Sequence, residues 1–227
     1  MTETPVQTIH SIAIIGGTGK EGKGLGFRWA RAGYQVTIGS RTLEKADAAA
    51  AELNALLGPK GQVRAALNAD AVRASDLAVI TVPFSAHADT LRGLQSELAG
   101  KILIDVTVPL VPPRVTRVQL PPAGSAALEA VEIIGQQTRV CSAFQNISYE
   151  HLLHEEEITC DVLVTGVDKE ARETVLKLVA DAGMVGWDAG PIENSVVAEG
   201  LTSILIGINK KYGVQSAGIR ITGVPRS

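Results

Sequence analysis

Ile9 to Ile15, then Gly17-Thr18-Gly19-Lys20-Glu21-Gly22, then Leu25 and Trp29: this stretch decides the reading of the chain. The first run is short, β-branched and followed by glycines, which reads as a buried strand. A helix spans Gly22 to Ala32, with Leu25 and Trp29 four residues apart on one face. Between strand and helix the glycines fall as G-x-G-x-x-G, and each has its own task. Gly17 permits the tight turn, Gly19 lets the backbone approach a diphosphate, and Gly22 lets the helix pack on the strand. The anion sits at the helix N-terminus, where free N–H groups and the helix dipole favour negative charge. A purely structural turn is the alternative. Strand, helix and the alternation that follows all favour dinucleotide binding.

Outward from that unit, Gln35 to Ile38, Val63 to Ala66, Leu77 to Val82 and Ile102 to Val106 read as further strands. Leu43, Ala46, Ala50, Leu53 and Leu57 recur at helical spacing until Gly58-Pro59 stops them. Ala69 to Ala74 and Ala86 to Leu98 also read as helices. Strands alternating with helices imply a parallel sheet covered on both faces, and right-handed crossovers make it a Rossmann-type doubly wound α/β domain. Pro109 to Gly124 carries five prolines and reads as a loop or crossover. Arg139 to Phe144 is expected to close the sheet. A small C-terminal α/β segment follows, with a strand from Asp161 to Gly166, a helix from Lys169 to Ala182 and a last helix from about Ser195 to Lys210. The expected division is residues 1–144 as the binding domain and 145–227 as its cover.

Composition narrows the partners. In 227 residues, Lys+Arg 21 against Asp+Glu 24 leaves a net charge of −3, without the basic excess of a nucleic-acid binder. No apolar run reaches membrane-spanning length, and Met1 to Ser11 is polar, without the pattern of a signal peptide. Cys141 and Cys160 fit no metal or redox spacing. A cytoplasmic protein is expected, binding neither nucleic acid nor membrane. Five of the 23 glycines lie between Gly16 and Gly24, so the glycine surplus belongs to the diphosphate loop.

The end of the second strand selects the dinucleotide. An NAD site places an acid there, whereas this chain has Gly39-Ser40-Arg41 with Lys45 a turn later. A hydroxyl and two cations suit the 2′-phosphate of NADP, and the Arg41 fork can bind it in bidentate fashion. Thr81-Val82-Pro83 and Thr107-Val108-Pro109 echo each other at two strand ends, where ligands of open α/β sheets lie. Val82, Pro83 and Val108 are therefore expected beside the nicotinamide, although proline also simply ends a strand. His87, just past the first of these tips, is a candidate ligand contact, with a surface helix histidine as the alternative. His151 and His154 before Glu155-Glu156-Glu157 only superficially resemble a metal cluster, and no hydrolytic signature is present.

The run Ile12 to Leu25 resembles the opening of the NADPH-dependent coenzyme F420 reductases, also called F420:NADP oxidoreductases. Gly39-Ser40-Arg41 with Lys45, Asp188-Ala189-Gly190-Pro191 with Asn194-Ser195, and Glu199 to Leu205 with Thr202 agree in order and spacing. The resemblance covers nearly the whole chain and is loosest from Leu110 to Thr138. It implies direct hydride transfer between NADP(H) and C5 of the deazaflavin F420, with no catalytic side chain. It places Thr18 to Glu21, Ser40, Arg41 and Lys45 on the NADP phosphates, and Val82 and Val108 along the nicotinamide. Gln145, Ile147, Thr202 and Ala217 would face the deazaflavin, with Lys210, Lys211 and Arg220 toward its anionic tail. The family often has histidine where this chain has Gln145, which can hydrogen-bond but cannot deliver a proton as imidazolium does. A homodimer is also expected. The alternatives are an imine- or flavin-reducing NADP enzyme and a non-enzymatic NADP sensor.

Overall fold

The computed structural model describes residues 7–154 and 157–225. β1 (Ser11–Ile15) is apolar and buried from Ile12 to Ile15 because it is covered on both faces. Ile12 and Ile14 point into one core layer, and Ala13 and Ile15 into the other. β2 (Gln35–Ser40), β3 (Arg64–Leu67), β4 (Leu77–Ile80), β5 (Ile102–Asp105) and β6 (Arg139–Ser142) pair in parallel around it. α1 (Lys20–Arg31), α2 (Leu43–Leu57) and α7 (Lys169–Asp181) cover the first face, while α3 (Asn68–Arg73), α5 (Gln95–Leu98) and α6 (Ala126–Ile134) cover the second. This is the Rossmann-type doubly wound architecture.

The sheet does not close at β6. It continues through β7 (Asp161–Gly166), antiparallel to β6, and β8 (Val185–Pro191), giving the order β3-β2-β1-β4-β5-β6-β7-β8. Sheet hydrogen bonds and the first core layer thus run across the position where the two-part division was expected. The helix expected from Ala86 to Leu98 is two pieces, α4 (Phe84–Arg92) and α5, because Gly93-Leu94 interrupts it. α6 and β8 have no counterpart among the expected elements. The last helix, α8 (Ser195–Tyr212), lies where the spacing puts it and ends at Gly213 in the left-handed conformation.

Two polar anchors fix α7 and the 149–154 turn against the first helix. Trp29 Nε1 donates to the Leu178 carbonyl at 2.9 Å, joining α1 to α7. The buried Arg28 guanidinium donates to the carbonyls of His151, Leu152 and His154 at 2.8, 3.0 and 2.6 Å. A buried guanidinium is tolerable only with its donors satisfied, so Arg28 pins the 149–154 turn to α1.

Candidate functional site

The glycine loop sits at the carboxyl end of β1. Gly16 has φ +68°, and a Cβ there would lie 2.4 Å from Val82 Cγ1, so only glycine fits. A Cβ on Gly22 would stand 2.7 Å from both Gly17 Cα and Thr81 Oγ1, which explains why the start of α1 rests directly on the loop. At Gly19, by contrast, a Cβ would meet nothing within 4 Å: the space above the loop is open for an anion. Asn68 Oδ1 accepts from the Gly16 N–H at 3.2 Å, and the Gly39 carbonyl accepts from Gly17 at 3.0 Å. The loop is thus held from β2 and α3 while its outer face stays free.

Two cavities meet over this loop. The first, about 840 Å³, runs past Ser40, Arg41, Thr42 and Lys45 at the β2 tip, with Asn68 and Ser85 opposite. The second, about 720 Å³, runs over Gly19, Lys20 and Glu21 to Val108, Gln145, Ile147, Thr202 and Ala217. Gly16, Thr18, Val82 and Pro83 border both, so the two form one trough folded about the β4 tip. Of the expected contacts, Thr18, Gly19, Lys20, Glu21, Ser40, Arg41, Lys45, Val82, Pro83, Val108, Gln145, Ile147, Thr202 and Ala217 all line it. Gly17 and Gly22 lie beneath, shaping the loop. Lys210, Lys211 and Arg220 are exposed, outside the cavity lining.

His87 is the correction. It is fully buried, not at the cleft surface, with Nε2 2.7 Å from Asp105 Oδ2 and Nδ1 3.0 Å from Glu129 Oε1. Burial works against its positive charge, but the two carboxylates outweigh that and hold it up to about 9. With both ring nitrogens committed, His87 organises what stands behind the wall. Asp105 Oδ1 accepts from the Thr107 N–H at 2.9 Å, and its carbonyl accepts from Gln145 Nε2 at 2.7 Å. Thr202 Oγ1 donates to the Gln145 carbonyl at 2.6 Å, so β5, the segment after β6 and α8 are tied at one point. Gln145 Oε1 and Thr107 Oγ1 are left buried without protein partners beside the trough. Phe144, directly before Gln145, has φ +73°, a strained conformation held by full burial and an edge-on contact with Trp29 at 5.7 Å.

Glu199, a buried residue of α8, accepts from the Ala126 and Ala127 N–H groups at 2.7 and 3.1 Å at the start of α6. Burial pushes it up to about 8, with those two bonds pulling the other way. The family-like stretch containing Glu199 therefore joins two helices. Asn68 and Asp105 also stand at the site, although no expectation named them. Gly16 belongs to the expected glycine loop and Thr107 to the expected strand tip. Of the acidic run after His154, Glu155 and Glu156 lie outside the described residues. Among the described residues no group of three or more His, Cys, Asp or Glu is arranged to hold a metal ion. Among them, too, no helix is long and apolar enough to cross a membrane.

A Rossmann-type sheet, an open diphosphate loop, a basic β2 tip and a second cavity beyond define a nicotinamide-dinucleotide oxidoreductase. Residues 11–109 match the family described as NADP oxidoreductase, coenzyme F420-dependent. The chain is 39% identical over 224 residues to the F420-dependent NADP reductase of Methanothermobacter thermautotrophicus, covering 96% of this chain and 97% of that one. It is 37% identical over 221 residues to the enzyme of that name from Methanocaldococcus jannaschii, with 94% and 98% covered. The chain belongs to the F420-dependent NADP reductase family. A crystal structure of a candidate F420-dependent NADP reductase from Arthrobacter sp. FB24 shares the fold, with TM-score 0.79 at 24% identity over 95% of this chain and 100% of that one.

Proposed function

We propose that this enzyme transfers a hydride directly between NADP(H) and the deazaflavin coenzyme F420. The observation that carries the reading is the folded trough, whose two arms share the Gly16, Thr18, Val82 and Pro83 wall. Bound there, NADP(H) and F420 supply the hydride donor and acceptor, and the chain supplies position and exclusion of water. Gly17 to Gly22 would hold the diphosphate, while Ser40, Arg41 and Lys45 would hold the 2′-phosphate. Residues 145–227 act as the cover, with Ile147, Thr202 and Ala217 against the deazaflavin. The unpartnered Gln145 Oε1 is an acceptor for a ring N–H or carboxamide in the second arm. The titratable side chains lining that arm are Lys20, Glu21 and Tyr149, so a ring-to-ring transfer asks no imidazole of this wall.

The same reading includes a homodimer in the cytoplasm. In support, α8 exposes Val197, Ile204 and Tyr212 at 63%, 51% and 67%, apolar surface on the cover itself. Cys141 and Cys160 are both unpaired, as suits a reducing compartment. Mixing the protein with NADP+ and reduced F420 without oxygen tests the activity. The oxidised deazaflavin absorption band should appear as NADPH forms. Tight NADP binding with no turnover on F420 would refute the reading and favour a sensor.

A further inference from the structure

We propose that Glu21 is a proton-dependent ligand contact: its neutral carboxyl donates a hydrogen bond to an oxygen of the dinucleotide's diphosphate, and its ionised form repels that anion. This rests on the NADP reading above and adds to it a control by pH. The position is the reason for suspicion. Glu21 stands in the first turn of α1, between Gly19 and Gly22, on the wall of the trough where the loop and helix end offer N–H groups to an anion. A carboxylate is the wrong charge for that place. Its Oε1 is nevertheless buried there without a hydrogen-bond partner.

The neighbouring charges do not neutralise it. Lys20 Nζ turns to the Tyr149 hydroxyl at 3.3 Å and lies 4.4 Å from that ring's centre. Lys23 Nζ is taken by Glu52 of α2 at 2.8 and 2.7 Å. The 149–154 turn also carries Glu150 and His151, and the backbone carbonyl of His151 is turned to Arg28. α7 meets the opposite end of the helix, at Trp29. Burial alone therefore sets the state of Glu21, pushing it up to about 8. Near neutrality the carboxyl carries a proton and can act as a donor; an unpartnered buried acid is costly unless a ligand satisfies it.

The sign follows directly. Protonated Glu21 binds the diphosphate, so affinity is highest below about pH 8 and falls as pH rises through that value. Calorimetric titration of NADP+ and of NADPH from about pH 6.5 to about pH 9.5 should show Kd rising about tenfold or more in the wild type. Glu21→Gln, a permanent donor of the same shape, should keep the low-pH affinity and lose the dependence. Titrating wild type with NADP+ near pH 8.5 in two buffers of different ionisation enthalpy should register proton uptake, independently of any variant. A flat or inverted pH profile, an unchanged slope in Glu21→Gln, or no proton uptake would overturn the proposal while leaving NADP binding intact. Failure of NADP+ to bind at any pH would instead overturn the NADP reading itself.

Discussion

Replacing His87 by glutamine should remove a specific, pH-dependent part of the folding free energy. His87 is fully buried between Asp105 and Glu129, and its value is held at about 9 against an ordinary 6.5. At ~1.4 kcal/mol per pH unit, that displacement amounts to about 3 kcal/mol. The folded-state value is raised, so this stabilisation is fully present below about pH 6.5 and is lost as pH climbs through about 9. Glu21 and Glu199, raised from 4.5 to about 8, also make the fold less stable with rising pH. The wild-type curve alone is therefore composite, and the difference between wild type and His87→Gln isolates the imidazolium. Urea unfolding followed by tryptophan fluorescence provides the measurement, since Trp29 is fully buried. The stability gap between the two proteins should shrink by about 3 kcal/mol between about pH 6.5 and about pH 9. A gap that stays constant to within about 1 kcal/mol would show that His87 is not the charged centre of this cluster.

Reversing the charge of Arg41 with glutamate should raise KM for NADPH by about thirtyfold or more, the loss of one charge-assisted contact, while KM for NADH changes by less than about threefold. Steady-state kinetics with both nucleotides measure this, and equal effects would sink the 2′-phosphate assignment. Gly22→Ala forces a Cβ to 2.7 Å from Gly17 Cα, so it should cost about 1–3 kcal/mol in thermal unfolding and weaken NADP binding through the displaced loop. Wild-type affinity in that variant would show that the loop does not rest on α1 as described. Light scattering of the wild type should give the mass of two chains. Ile204→Lys, which places a charge on the exposed face of α8, should give that of one; a single-chain mass for the wild type would refute the dimer.

How far the sequence announces this structure depends on whether the signal is local. The β1–loop–α1 unit is legible because one buried strand, three spaced glycines and one helix face lie within a single stretch. The basic end of the trough, with Ser40, Arg41 and Lys45, is equally local. β8 escaped because Val185–Pro191 carries Gly186, Asp188, Gly190 and Pro191 and is only partly buried, as an edge strand is. α6 lay hidden behind the proline-rich loop, in the region where the family resemblance is loosest. Its N-terminus is capped by Ser125 and by Glu199, the latter 73 residues away from Ala126. His87 was misplaced for the same reason. Its partners stand 18 and 42 residues along the chain, and only the fold brings them together. No spacing rule finds such a cluster.

The Arg28 anchor has a mechanical meaning for the enzyme. By holding the carbonyls of His151, Leu152 and His154, it makes the turn after Gln145–Tyr149 part of the same body as the helix that receives the dinucleotide. On the proposed reading, the hold on NADP and one wall of the F420 arm are thereby one piece. Across the trough, Thr202 Oγ1 ties α8 to the Gln145 carbonyl at 2.6 Å, and Ser203 Oγ donates to the Arg117 carbonyl of the proline-rich loop at 3.3 Å. Arg28 is a brace, keeping constant the spacing across which the proposed hydride transfer takes place.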